Sequence, residues 1–492
     1  CTLFSPSRPR PKSGAPVPVP KLRNSLSSIM LSRVLLCCLV VACVGRTLAG
    51  TTRPDLSMMR VALDTSDDDT GDPSYDHQTT TYTTRFDPVY ADNTVTVTPF
   101  FSPDHSIGTL TDLISSVSMG GTIEIGTPGF SSWSGCTPFT GCQGCSIINA
   151  TKEQFPIFHA LLNAVHVQKA TVRILTNNYN TPTCPGLIAP LDFLVLNGIQ
   201  VKYFDTVTFL HEKYITVDGN RTAVSSVNWS YTSFMENREA GVIITDGGGE
   251  LIKMAMQVWE SDWAQATDYV VTNTYTAAEL AVIQNPAKQA IVIPKQKNIP
   301  EAYVTPTPFP AASETTVIYT SPDHARYELF RDLNTTQHSF ELFMYQVTDF
   351  GLCQELQRLY TNTTIDLTIY VSKHIYAAGD SALAQECYGQ LYKAGATIHL
   401  SPWYYTYSHA KFWIVDRGTS RQHVGMSTGN WSPTDYPPAD VFPPYGQGNW
   451  VKANRDYTMR MWGEEVVAQF SSVFHNDLIR GTEWYPANTT AL

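Results

Sequence analysis

Two stretches of the chain carry the same chemistry-bearing residues at the same spacing. The first reads His211-Glu-Lys213-Tyr-Ile-Thr-Val-Asp218, followed by Ser225-Ser226-Val-Asn228-Trp-Ser230. The second reads His409-Ala-Lys411-Phe-Trp-Ile-Val-Asp416, followed by Ser427-Thr428-Gly-Asn430-Trp-Ser432. Side chains alternate faces along a strand, so a His and a Lys two residues apart point at one target. Ile215, Val217, Ile414 and Val415 supply the apolar core of those strands. Asn228 and Asn430, on a following strand, add amide donors. Paired imidazoles beside fixed ammonium and amide donors are equipped to attack, and move protons around, an electrophile with anionic oxygens.

This duplicated pattern resembles the phospholipase D superfamily, the HxKxxxxD phosphodiesterases, and in particular its secreted or lumenal two-motif branch. The resemblance covers roughly residues 98–480. One HxKxxxxD could arise by chance; two copies, each with a trailing Asn-Trp-Ser, make the signal specific. The resemblance implies a phosphohistidine mechanism. One histidine attacks phosphorus, the other protonates the leaving alcohol, and water then releases the phosphate. It nominates His211 as nucleophile and His409 as general acid, although the residues themselves do not distinguish the two. Lys213, Lys411, Asn228 and Asn430 would stabilise charge on the phosphoryl oxygens, so neither metal nor cofactor is expected. The family also places a carboxylate after each motif to hold the imidazole. Here Asn237-Arg-Glu239 serves the first motif, and Asn454-Arg-Asp456 is expected to serve the second with a shorter acid near His409. The family usually has Gly-Ser before the x-Asn, where this chain has Ser225-Ser226 and Ser427-Thr428. Asp218 and Asp416 are expected to hold loops or salt bridges away from substrate.

The elements that position these residues also repeat. Ser102-Pro-Asp-His105 recurs as Ser321-Pro-Asp-His324, and a Val-aromatic-x-x-Asp ending occurs at Asp262 and again at Asp477. Short β-branched runs alternate with helical patterns in both halves. The expected fold class is therefore α/β: two homologous α/β/α halves with mixed, largely parallel sheets, pseudo-two-fold related, sharing one composite site. The halves span 98–264 and 316–484, joined by a Pro-rich connecting segment at 265–315, with a tail at 485–492.

Residues 30–49 read as a signal peptide, with a basic start at Arg33 and a short apolar run. Residues 1–29 look like a non-native leader, and 50–97 like a flexible lead. With 43% hydrophobic residues the chain is globular. Its formal net charge is −11, with all the basic residues of the leader included. That balance disfavours broad capture of long nucleic acid but leaves room for a basic pocket. Beyond the signal region remain Cys136, Cys142, Cys145, Cys184, Cys353 and Cys387, an even set that fits disulfides in a secreted or lysosomal protein. Sequons at Asn149, Asn220, Asn334, Asn362 and Asn488 agree with that compartment.

The expected partner is a phospholipid or other phosphodiester substrate, with membrane-surface contact through apolar loops. Trp403, Tyr404, Tyr405 and Tyr407 could form an aromatic rim or a strand-edge packing layer. Nucleic acid is the alternative substrate, through a lumenal single-strand 5′–3′ exonuclease that stacks bases on those rings. A catalytically inactive binding protein on the same fold is the third reading. Retention of both histidines, lysines and asparagines argues against it.

Overall fold

The computed structural model describes residues 86–92, 95–130, 153–178, 185–246, 249–271, 273–285, 290–291, 307–438 and 453–486, all within one compact unit spanning 58–492. The leader, the apolar segment at 30–49 and Cys136, Cys142, Cys145 and Cys184 lie outside the described residues.

The first half runs β1 (Val95–Ser102), α1 (Ser106–Ser115), β2 (Thr122–Gly126), α2 (Pro156–His166), β3 (Thr171–Thr176), α3 (Pro185–Leu196), β4 (Gln200–Tyr203), β5 (Tyr214–Val217), β6 (Arg221–Ser225), β7 (Glu239–Thr245) and α4 (Glu250–Gln265). The second runs β8 (Thr315–Ser321), α5 (Ala325–Thr335), β9 (Ser339–Met344), α6 (Phe350–Thr361), β10 (Asp366–Val371), α7 (Ala378–Lys393), β11 (Ile398–Leu400), β12 (Phe412–Val415), β13 (His423–Ser427), β14 (Asn454–Trp462) and α8 (Glu464–Leu478). The central strands are ordered β4-β3-β2-β5-β6-β7-β1 in one sheet and β11-β10-β9-β12-β13-β14-β8 in the other. The two orders match element for element.

The sheets are mixed, but parallel pairing is less extensive than the βα alternation predicts. Among neighbouring central strands, β2-β3-β4 and β9-β10-β11 are the parallel pairs, each strand joined to the next by a helical crossover. The motif strands β5 and β12 pair antiparallel with both neighbours. Each begins a hairpin, with a connection at 218–220 in the first half and a longer one at 416–422 in the second, whose first residue is the motif aspartate, Asp218 at φ 52° or Asp416 at φ 49°. Aspartate tolerates this left-handed backbone better than most residues. Asp218 accepts hydrogen bonds from the Ser118 and Thr122 amides. Asp416 accepts them from Gln337, His338 and Ser339. Both tie the hairpin to the strand beside it and face away from the histidines.

Helices α1–α3 cover the outer face of the first sheet, packing Leu110, Leu161 and Phe193 onto it. Helices α5–α7 do the same on the second, where Cys353 of α6 is bonded to Cys387 of α7. The inner faces share one apolar core, in which Trp259 of α4 and Phe470 and Phe474 of α8 lie among Tyr214, Phe412 and Tyr457. Burial of this layer is the main force holding the halves together.

Within that core sit two matched buried arginines. Arg238 donates to Asp477 at the end of α8 (3.0 Å), to the Ser102 carbonyl (2.8 Å) and to Asp104 (3.3 Å). Arg455 donates to Asp262 at the end of α4 (2.8 Å), to the Ser321 carbonyl (2.9 Å) and to Asp323 (3.3 Å). The repeated Ser-Pro-Asp and Val-aromatic-x-x-Asp signatures thus supply the ligands of two arginine clamps that cross between halves. A buried guanidinium is tolerable only when its donors are met. Replacing Arg455 by Met should therefore lower the unfolding free energy by about 3–5 kcal/mol, by leaving Asp262 and Asp323 buried without their cation. Denaturant titration would show it; a loss under about 1 kcal/mol would mean the clamp contributes little.

Candidate active site at the seam of the two halves

Each motif histidine is placed by backbone pairing with the opposite half. Phe209–Leu210 runs parallel to the start of β14, and the His211 amide donates to the Arg455 carbonyl at 3.0 Å. In the matching contact, Arg238 bridges to Ser408 and the His409 amide donates to the Arg238 carbonyl at 2.7 Å. The residues after those arginines are Asp456 and Glu239, so each carboxylate is delivered to the other half's imidazole.

His409 Nδ1 meets Glu239 Oε2 at 2.8 Å, and His211 Nδ1 meets Asp456 Oδ1 at 3.0 Å. The sequence reading paired each acid with the histidine of its own half; the structure crosses them. The shorter acid therefore stands at His211 and not at His409. Proximity along the chain misleads here because the pairing is made across a seam that only the folded duplication creates. A carboxylate accepts, so each Nδ1 carries the proton and Nε2 is the reactive nitrogen.

Ser226 Oγ donates to Glu239 at 2.6 Å, and Thr428 Oγ1 to Asp456 at 2.6 Å, so these two positions fix the acids that fix the rings. Asn237 adds a second donor to Glu239 at 3.1 Å. The lysines are fully buried and differ in contact. Lys213 Nζ donates to the His211 carbonyl at 2.7 Å and lies 3.5 Å from the Thr428 carbonyl of the other half, while Lys411 Nζ lies 2.7 Å from His409 Nε2. Asn228 and Asn430 are buried in the same region, and Asn228 Oδ1 and His211 Nε2 have no hydrogen-bond partner among the described residues. Tyr345 packs edge-on against the His409 ring.

Burial and the Lys213 ammonium push the His211 pKa down, but Asp456 and Asp435 outweigh them and set it at about 9. Burial raises Glu239 to about 7 against the pull of Lys411. For Asp456 burial acts upward, yet the His211 cation holds it well below the usual carboxylate range.

Two residues escaped the sequence reading. Asp435 lies 3.1 Å from His211 Nδ1; its only sequence signal is a place after Asn430 matching Ser233 after Asn228. Glu212 is buried, both its carboxylate oxygens lack a hydrogen-bond partner among the described residues, and burial drives its pKa far upward. Among the described residues, His211, Asp435 and Asp456 bring donor atoms within 4.8 Å of one another, close enough for a metal ion. The oxygens facing the ring already accept from Asn454 and Thr428, so the trio reads as a hydrogen-bonded set.

A family model described as "Cardiolipin synthase, PLD-like domain" matches residues 143–263, which include His211, Lys213, Asn228 and Glu239. Over those residues the chain carries a phospholipase D-like domain. It is similar to the mitochondrial cardiolipin hydrolase of Xenopus laevis, 26% identical over 110 residues that make up 22% of this chain and 50% of the relative. The Xenopus tropicalis protein of the same name is 28% identical over 101 residues, 20% of this chain and 46% of the relative. The chain thus spans about half the length of the curated relatives it matches. Phosphatidylserine synthase of Haemophilus influenzae Rd KW20 shares the fold, with a TM-score of 0.52 at 10% identity over 78% of this chain and 87% of that one. The superfamily model covers the first half alone; the second enters through the matching strand order and motif.

The crossed pairing has a direct test. Glu239→Gln should perturb the imidazole NMR titration of His409 and leave that of His211 in place, while Asp456→Asn should do the reverse. Signals moving on the same-half histidine would undo the assignment.

Proposed function

We propose that this protein hydrolyses a phospholipid phosphodiester through a phosphohistidine intermediate. The observation that carries the reading is the pair of imidazoles, each with Nδ1 held by a buried carboxylate, beside two buried lysines. His211 Nε2 attacks phosphorus, the bond to the leaving oxygen breaks, and His409 gives that oxygen its proton. His409 then takes a proton from water, the water oxygen bonds to phosphorus, and the phosphorus–nitrogen bond breaks. Lys213, Lys411, Asn228 and Asn430 stabilise charge on the non-bridging oxygens in both steps. The carboxylate at each Nδ1 stabilises the imidazolium that forms there, as in other His-carboxylate pairs.

The names of the Xenopus relatives support a phospholipid substrate. Beside His409 a groove of about 740 Å³ is lined by Tyr376, Trp403, Tyr404, Thr406 and Tyr407. It connects to the ring through Tyr345, which contacts both Tyr407 and His409. Trp403 is 72% exposed at its mouth, whereas Tyr405 turns inward and bonds to Arg238. Part of the expected rim is therefore clamp. The walls are rings, hydroxyls and His374, with Ile375 the aliphatic member. That lining favours a second reading, single-strand nucleic acid with its bases stacked in the groove. We further propose an oxidising, secretory-pathway setting, in which the Cys353–Cys387 bond would persist.

The deciding assay compares head-group release from phospholipid vesicles with nucleotide release from 5′-hydroxyl single-stranded DNA, in EDTA. His211→Ala and His409→Ala should each abolish the productive reaction. DNA turnover alone would replace the lipid reading. With His211 as nucleophile, kcat/KM should climb with pH as the ring loses its proton near pH 9; a decline over that range would exchange the two histidines' roles. Trp403→Ala should raise KM by roughly 5- to 150-fold and spare kcat, as about 1–3 kcal/mol for one stacked ring requires.

A further inference from the structure

The segments that follow the motif asparagines differ at one buried position. The first reads Asn228-Trp-Ser230-Tyr-Thr-Ser233 and the second Asn430-Trp-Ser432-Pro-Thr-Asp435. The Ser233 amide donates to Ser230 Oγ at 3.2 Å, and the Asp435 amide to Ser432 Oγ at 3.1 Å, so the local turn is the same. Asn237 reaches Ser233 Oγ at 3.4 Å, and its counterpart Asn454 reaches Asp435 Oδ1 at 2.8 Å. The two positions are equivalent, yet one holds a hydroxyl and the other an acid.

The histidine-holding acids differ in the opposite sense. At His409 the longer Glu239 stands 2.8 Å from Nδ1, and the Lys411 Nζ lies 3.0 Å from the same nitrogen. At His211 the shorter Asp456 stands at 3.0 Å and Asp435 joins it at 3.1 Å. We propose that Asp435 is a positioning residue for His211, compensating for the methylene that Asp456 lacks relative to Glu239. The Nδ1 proton is shared between two acceptors, which fixes the ring from two directions. Both acids stabilise the positive charge that grows on the ring as Nε2 bonds to phosphorus. Asp435 cannot swing aside, because its other oxygen accepts from the Asn430 amide at 2.9 Å and from Ser432 Oγ at 2.8 Å. The same contacts link the ring's partner to the segment carrying Asn430. The charged groups facing His211 are Asp456, Asp435 and Lys213.

The role as a positioner of the nucleophile rests on the phosphodiesterase reading, but its test has an arm that does not. Asp435→Asn keeps the size and removes the charge. In the full-length chain its His211 imidazole titration, identified by difference from His211→Ala, should move to lower pH by about one unit. Turnover of bis(p-nitrophenyl) phosphate should fall roughly tenfold or more, mostly in kcat, with the rising pH limb shifted the same way. The double variant Asp435→Ser/Asp456→Glu rebuilds the arrangement at His409, and should exceed Asp435→Ser by about tenfold. An unmoved His211 titration, or a double variant no better than Asp435→Ser, would reduce Asp435 to a turn cap. Loss of wild-type turnover in EDTA, restored by magnesium, would reassign the trio to a cation. Should the wild type fail on the diester, the phosphodiesterase reading falls, and the NMR titration alone still decides whether Asp435 acts on His211.

Discussion

The structure depends on two short backbone contacts across the seam: the His211 amide on the Arg455 carbonyl, and the His409 amide on the Arg238 carbonyl. Each sets a register between halves, and one residue farther on that register delivers a carboxylate to an imidazole. The arginine side chains at the same positions reach the other way, into Asp477 and Asp262 at the ends of the last helices. Position and charge are thereby fixed together. A slip of one residue along the pairing would turn both the carboxylate and the guanidinium to the wrong faces.

Such a site concentrates charge where water is excluded. Lys213, Lys411, Arg238 and Arg455 are all buried, as are Glu239, Asp456, Asp477 and Asp262. Burying them singly would be prohibitive, and their mutual pairing offsets only part of the desolvation. The shared apolar layer of Trp259, Phe412, Phe470 and Phe474 makes the arrangement affordable, and in turn leaves the dipoles and charges little freedom to reorganise. Preorganisation of this kind is the main resource for stabilising a phosphoryl transition state.

What the sequence revealed and what it hid divide along the range of the interactions. The His-x-Lys spacing and the trailing Asn228 and Asn430 were readable because strand alternation and a neighbouring hairpin are local. The internal repeat was readable too, including Asp104, Asp323, Asp262 and Asp477 as recurring letters. Their purpose as clamp ligands was not, since Arg238 and Asp477 meet only after both halves fold. The same limit hid the exchange of Glu239 and Asp456 between histidines. The excess of antiparallel pairing around β5 and β12 was hidden for a different reason. Buried strands of either direction read as the same apolar runs, and only their short connections betray the hairpins. Tyr405 shows the remaining weakness: within a run of aromatics, pattern does not say which ring faces solvent and which faces a buried guanidinium.

The crossing of the carboxylates carries a consequence for descent. Two identical halves related by a true two-fold axis would make the same crossed contacts twice, as an isologous homodimer does. In such a dimer, any substitution appears at both imidazoles together. Joining the halves in one polypeptide lifts that constraint, so each imidazole can keep its own set of acids. Glu239 with Ser233 on one side, and Asp456 with Asp435 on the other, are two solutions that a symmetric ancestor could not have held at once.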